Sequence, residues 1–137
     1  QAVGRQMVSQ GSGSLINIDS LSTHAALSQV TPYSMSKSGL SNMTRALAME
    51  WGKHGVRVNA VAPGFILTDL TEKLWSSPKL QAWHQTVTPL RRMGAVEDLV
   101  GTALFLASPA ASFLTGQVIR VEGGISAGLS WPIDEAY

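Results

Sequence analysis

Cysteine is absent from the 137 residues. That excludes disulfides, thiolate catalysis and cysteine zinc sites. Histidine is scarce: His24, His54 and His84 are spread along the chain, with no H-x3-H or comparable spacing, so no metal site is expected. Charge is sparse too, at 14% of residues, against a usual share of roughly 25%. With 45% hydrophobic residues, much of the surface is expected to be buried, in a core or against partner subunits. The formal net charge is +1 and Arg91-Arg92 is the only basic doublet, which gives no footprint for nucleic acid. No continuous apolar run follows Arg5, so no signal peptide is expected. Leu99 to Ile119 is uncharged and long enough to span a membrane, but Pro109, Ser108, Ser112, Thr115 and Gln117 interrupt it. A helix, a turn and a strand entry explain it better than a transmembrane segment, and no membrane partner is expected.

What is present reads as alternating strands and helices in one domain or a piece of one. Gln1 to Gln10 looks like the last turns of a helix stopped by Gly11-Ser12-Gly13. Three strands are predicted, at about 14–18, 56–62 and 117–121, the second rich in β-branched residues. Between the first two, a polar loop leads to Pro32 and then a helical pattern from Tyr33 to about Lys53. Tyr33, Leu40, Met43, Leu47 and Trp51 are predicted to form its apolar side. Lys53-His54-Gly55 is a suitable stop, with basic groups on the helix dipole and Gly at the cap. Phe65 to Gly94 has no strong period. Asp69–Trp75 and Pro78–Val87 are expected to be short helices, and Asp69-x-x-Glu72 has capping-box spacing with Asp as the cap. A long excursion of this kind reads as a lid, to which Trp75 and Trp83 would give apolar surface, unless they pack on the body or a neighbouring subunit. A last helix is predicted over Val96 to Ala107, ended by Pro109. The tail from Ile125 to Tyr137, with Trp131-Pro132, has no clear period.

The chemistry-bearing stretch is Ser20 to Lys37, spaced S-x12-Y-x3-K. Tyr33 and Lys37, four apart, share a helix face. An ammonium beside a phenol favours the phenolate and makes the pair a candidate acid/base. Ser20 ends the apolar run Leu15-Ile16-Asn17-Ile18, where its hydroxyl could converge with the pair on one small polar atom. Taken singly, the three residues read equally well as a turn serine, a core-edge tyrosine and a solvated lysine. His24 reads as a loop residue, and Asn59 as a backbone bridge at a strand end.

Four stretches together resemble the classical short-chain dehydrogenase/reductase family. Ser14-Leu15-Ile16-Asn17-Ile18-Asp19-Ser20 is similar to its serine strand, and Tyr33-Ser34-Met35-Ser36-Lys37 to its Y-x-x-x-K. Val58-Asn59-Ala60-Val61-Ala62-Pro63-Gly64 matches its N-x-V-x-P-G. Phe105 to Gln117 with Val121-Glu122-Gly123-Gly124 resembles its C-terminal signature. Asp19, Pro109 and Glu122 depart from the commoner residues. The resemblance implies a doubly wound parallel α/β fold of the Rossmann type, of which this chain holds the last three strands. The Gly-rich dinucleotide loop and the family's catalytic asparagine would lie before Gln1.

By the same resemblance the parent is a cytoplasmic enzyme that moves hydride between NAD or NADP and an alcohol or ketone. Tyr33 would be the acid/base, Lys37 its partner and the holder of the nicotinamide ribose, and Ser20 the group that holds the substrate oxygen. Pro63, Gly64, Ile66 and Thr68 would meet the nicotinamide end of the cofactor. Thr68 reads alternatively as a helix cap and Pro63-Gly64 as a plain turn. The helix sequence and the Gly-Gly-Ile-Ser-Ala-Gly tail look most like the sugar-acid branch, the gluconate 5-dehydrogenase-like members. Homo-oligomers, tetramers or dimers, are expected. The alternative is a non-catalytic fragment serving only in assembly; the Leu15–Ile18 strand would then be an open apolar edge, expected to be covered.

Overall fold

The computed structural model describes residues 1–129 and 131. The elements run α1 (Ala2–Gln10), β1 (Gly13–Ile18), α2 (Thr31–Trp51), β2 (Val56–Pro63), α3 (Asp69–Trp75), α4 (Pro78–Val87), α5 (Glu97–Ala107) and β3 (Val118–Val121). The three strands form a parallel sheet in the order β1-β2-β3, with Asn17 opposite Ala60 and Val61 opposite Ile119. The tail beyond residue 129, apart from Trp131, lies outside the described residues. Among the described residues no helix is long and apolar enough to cross a membrane.

Parallel strands need helical crossovers, which cover both faces of the sheet. Side chains alternate along β1 and sort those faces. Ser14 Oγ donates to Leu106 O of α5 at 2.9 Å, whereas Asn17 Nδ2 donates to Thr44 Oγ1 of α2 at 2.9 Å. Hence α5 covers one face and α2 the other. α1 joins α2, since Met7 and Val8 pack on the cluster of Ala48, Val56 and Val58. The central strand β2 is buried almost throughout, with Val58, Ala60 and Ala62 fully enclosed. Gly55 turns the chain into it at φ 74, and a side chain there would strike the carbonyl of Gly11.

Two expectations are corrected. The face of α2 that meets the sheet is made of small residues, Ser41, Thr44 and Ala48, all buried. Of the predicted apolar side, Leu47 and Trp51 pack beside the core, but Tyr33 and Met43 are 49% and 44% exposed. Small side chains win because they let the helix axis come close to the strand, where Asn17 and Asp19 bond to it. Next, the cap of α3 is Thr68 and not Asp69: Thr68 N donates to Thr71 Oγ1 at 2.9 Å. Nothing among the described residues pairs with the outer edge of β1; the cover expected there is one from residues outside this chain, a partner chain or exchange between copies. Pro109, as expected, ends α5, opening a single 3-10 turn.

Candidate active site

Because all three strands run the same way, the loops that follow them gather at one end of the sheet. Asp19 N still donates to Val61 O at 2.7 Å, so the chain leaves β1 only after Asp19. Ser20 follows in extended backbone and caps a 3-10 turn over Leu21–Thr23. Its Oγ accepts from Ser22 N at 3.1 Å. The hydroxyl is therefore fixed through its oxygen, and its hydrogen is left to donate.

α2 begins with Pro32 in its first turn, where a missing N–H costs nothing. Tyr33 stands next, half exposed, and its hydroxyl has no hydrogen bond among the described residues. One turn on, Lys37 Nζ donates to Ile18 O at 2.7 Å and lies 5.7 Å from the Tyr33 ring centroid. The backbone of Asp19 faces β2, so that of Ile18 faces the opposite way, to the open edge. Lys37 thus ties the helix to the end of the serine strand, and two of its three ammonium hydrogens have no partner among the described residues.

The neighbouring carboxylate was not singled out as functional by its residue type. Asp19 is 2% exposed. Its Oδ2 accepts from Ser41 Oγ on α2 and from Thr23 Oγ1 at 3.1 Å, while Oδ1 is buried with no partner among the described residues. It joins the turn that carries Ser20 to the helix that carries Tyr33 and Lys37. The only sequence signal was that an acid stands where the family's pattern has a small residue.

The third wall comes from the exit of β2. Gly64 N donates to Val121 O at 3.0 Å, and a Cβ on Gly64 would lie 2.7 Å from Glu122 Cα; this glycine serves close packing on β3. Leu67 N donates to Gly94 O at 2.8 Å and Gly94 N to Phe65 O at 3.0 Å, which closes the lid at its base. Within the lid the Phe65 ring centroid stands 5.0 Å from Trp75, 5.5 Å from Trp83 and 5.6 Å from His84, all edge-on. Trp75 is buried between Phe65 and His84 of the lid itself, and Trp83 stays 40% exposed; both line the cleft. Burial pushes the His84 imidazole below its usual value, and its Nε2 lies 3.0 Å from Thr88 Oγ1. At the lid's far end Arg92 donates twice to Asp98, at 2.7 Å each; this holds the Asp98 carboxyl well below the carboxylate range.

These walls enclose an open cleft of about 980 Å³, and Ser20, Tyr33, Lys37, Pro63, Gly64, Ile66 and Thr68 all line it. Every candidate residue read from the sequence is therefore brought to one place. His24 is not among the lining residues. Asn59 is a backbone bridge, with Nδ2 on Leu114 O at 2.8 Å and Oδ1 taking Gln117 N at 3.0 Å.

The family model described as enoyl-(acyl carrier protein) reductase matches residues 1–126. The chain belongs to the short-chain dehydrogenase/reductase family. Among curated relatives it is 42% identical, over 94% of its length, to gluconate 5-dehydrogenase of Gluconobacter oxydans. It is 44% identical, over 90% of its length, to galactitol 2-dehydrogenase (L-tagatose-forming) of Cereibacter sphaeroides. Each match covers 50% of the relative, so the chain spans about half the length of the curated short-chain dehydrogenases it matches. A crystal structure of a gluconate 5-dehydrogenase from Burkholderia cenocepacia, in complex with NADP and tartrate, superposes with a TM-score of 0.92. It is 35% identical, and the match covers 94% of this chain and 51% of that one. The α/β architecture with its parallel sheet is thus that of the Rossmann-type members of this family.

Proposed function

We propose that the protein carrying this chain is an NAD- or NADP-dependent oxidoreductase acting on an alcohol or ketone of the sugar-acid or polyol class. The observation that supports it best is the convergence of Ser20, Tyr33 and Lys37 on one cleft, with Lys37 fastened to Ile18 O at the end of the serine strand. The names of the relatives support the substrate class. The donor set fits a nicotinamide nucleotide: the two remaining hydrogens on the Lys37 ammonium suit the diol of a ribose. Pro63, Gly64, Ile66 and Thr68 border the same space. When bound, the nicotinamide ring supplies or accepts the hydride.

The chain's own residues then handle the proton. Tyr33 Oη takes it from the substrate hydroxyl on oxidation and returns it to the carbonyl oxygen on reduction. The Lys37 charge stabilises the negative phenolic oxygen between the two events. Ser20, whose Oγ hydrogen is free, donates to the reacting oxygen and holds it near Tyr33. The lid closes over the cleft and excludes water. Exposed apolar residues on and after α5, Leu104, Phe105 and Phe113, support a homo-oligomer, a dimer or tetramer.

The test is reduction of NAD⁺ and NADP⁺ by the full-length protein with gluconate and galactitol. Tyr33→Phe is expected to lower kcat by about 10²- to 10⁴-fold with an unchanged circular dichroism spectrum. Full activity in that variant would remove Tyr33 from the role. The unpaired edge of β1 favours a second reading, in which these residues serve assembly and do no chemistry alone. Micromolar binding of NADH or NADPH by residues 1–137 in isolation would overturn it.

A further inference from the structure

Two residues other than glycine have positive φ among the described residues, Arg91 at 51° and Gln29 at 67°. Arg91 lies outside the cleft that holds Tyr33, whereas Gln29 lines it. Gln29 sits in the turn just before α2, four residues ahead of Tyr33. The left-handed region crowds a Cβ against the following carbonyl, and glycine, or failing that asparagine or aspartate, occupies such turns at less cost. Glutamine brings no local hydrogen bond in return: its carboxamide has no partner among the described residues, and the residue is exposed. The strained turn therefore presents a free amide at the site.

The rest of the wall gives that amide a meaning. Much of the cleft is apolar, through Leu27, Leu70, Leu74, Leu80, Trp83 and Leu99. Thr68 and Thr71 spend their hydroxyls on the cap of α3. A carboxamide both donates and accepts, as a hydroxyl does, so it pairs with a hydroxyl in either sense. A strained residue kept beside an active group points to function. We propose that Gln29 is a substrate-orienting residue, its carboxamide bonding a hydroxyl of a polyhydroxylated substrate other than the one that reacts. The inference rests on the oxidoreductase reading above and narrows its substrate to one bearing a second hydroxyl near the reacting carbon.

The experiment compares Gln29→Gly, Gln29→Ala and Tyr33→Phe in the full-length protein, with galactitol or gluconate as substrate. Glycine relieves the backbone and removes the amide at once. Gln29→Gly is expected to melt roughly 2–4 °C higher than the wild type. It should also raise KM for the polyhydroxy substrate by about 3- to 10-fold, with KM for the nicotinamide cofactor unchanged. Gln29→Ala should raise the substrate KM equally without the gain in melting temperature. A glycine variant that is more stable and equally active, or one whose cofactor KM rises with its substrate KM, overturns the proposal. So does a glycine variant that melts lower, since the strain would then be absent. Turnover lost in Tyr33→Phe but unchanged in every Gln29 variant leaves the oxidoreductase standing and removes Gln29 from it. No turnover of either substrate by the wild type removes both.

Discussion

Ser20 Oγ is held by a hydrogen bond it accepts, from Ser22 N, and Lys37 by one it donates, to Ile18 O. Each keeps for a ligand the polarity that chemistry on a carbonyl oxygen requires. His84 shows the opposite use of burial. It sits inside the lid, 3% exposed, against Phe65 and Trp75, and loss of hydration holds its pKa below the usual 6.5. The unfolded chain then binds the proton more readily than the folded one, so stability rises with pH. The contribution is complete above the unfolded value and is lost as pH falls from there towards the folded one. Melting temperature is therefore expected to fall as pH drops through the unfolded value of about 6.5, and His84→Gln should flatten that slope in thermal melts followed by circular dichroism. An equal slope in the variant would assign the loss to other groups.

Helix α2 carries the reactive pair at its first turns and its anchorage further on, where Ser41, Thr44 and Ala48 rest on the sheet. Its grip at the active end is polar: Ser41 on Asp19, Lys37 on Ile18. Its grip at the far end is apolar: Ala48 with Val56 and Val58. Widening the contact should tilt the whole helix. Ala48→Leu is expected to cost about 1–3 kcal/mol in urea unfolding and to lower kcat, although residue 48 is far along the helix from Tyr33. Undiminished kcat in a destabilised Ala48→Leu would mean that the reactive end is set locally by Ser41 and Lys37. The ends of this helix were readable, because Pro32 and Gly55 leave the backbone few choices. Its orientation was not. Periodicity marks where apolar residues recur, but the sheet selected the small face, a preference that depends on how close the strand lies. The sequence offered both Thr68 and Asp69 as the α3 cap, and the choice has a similar cause: Thr71 Oγ1 bonds both Thr68 N and Ile66 O, a fit that selects Thr68 once the loop is folded.

Across the molecule, the sheet ends on a strand with no neighbouring strand on its outer edge among the described residues; there Ile18 O takes Lys37 Nζ, and Ile18 is 55% exposed. Residues 1–137 alone are expected to associate as concentration rises, through edge pairing; light scattering at increasing concentration would show it, and a monomer at every concentration would count against it. Much of the whole was legible in advance. The strands, their parallel run and the meeting of Ser20, Tyr33 and Lys37 follow from apolar runs bounded by glycine and proline and from motif spacing. Asp19's bonds to Ser41 and Thr23 and the left-handed Gln29 were not, since one needs partners distant in sequence and the other a dihedral angle that no residue type announces.

The pinned base of the lid carries a consequence for descent. Leu67 and Phe65 are each bonded to Gly94, and further along the lid Leu90 N donates to Gly123 O and Arg92 to Asp98, so all these ties lie at the lid's two ends, and α3 and α4 stand between them. A change of length confined to the stretch from α3 to α4 would leave those ties, and with them β2 and α5, in place. The machinery that moves a proton and the pocket that chooses a molecule would then be inherited on separate terms, one kept by the sheet and the other free to drift.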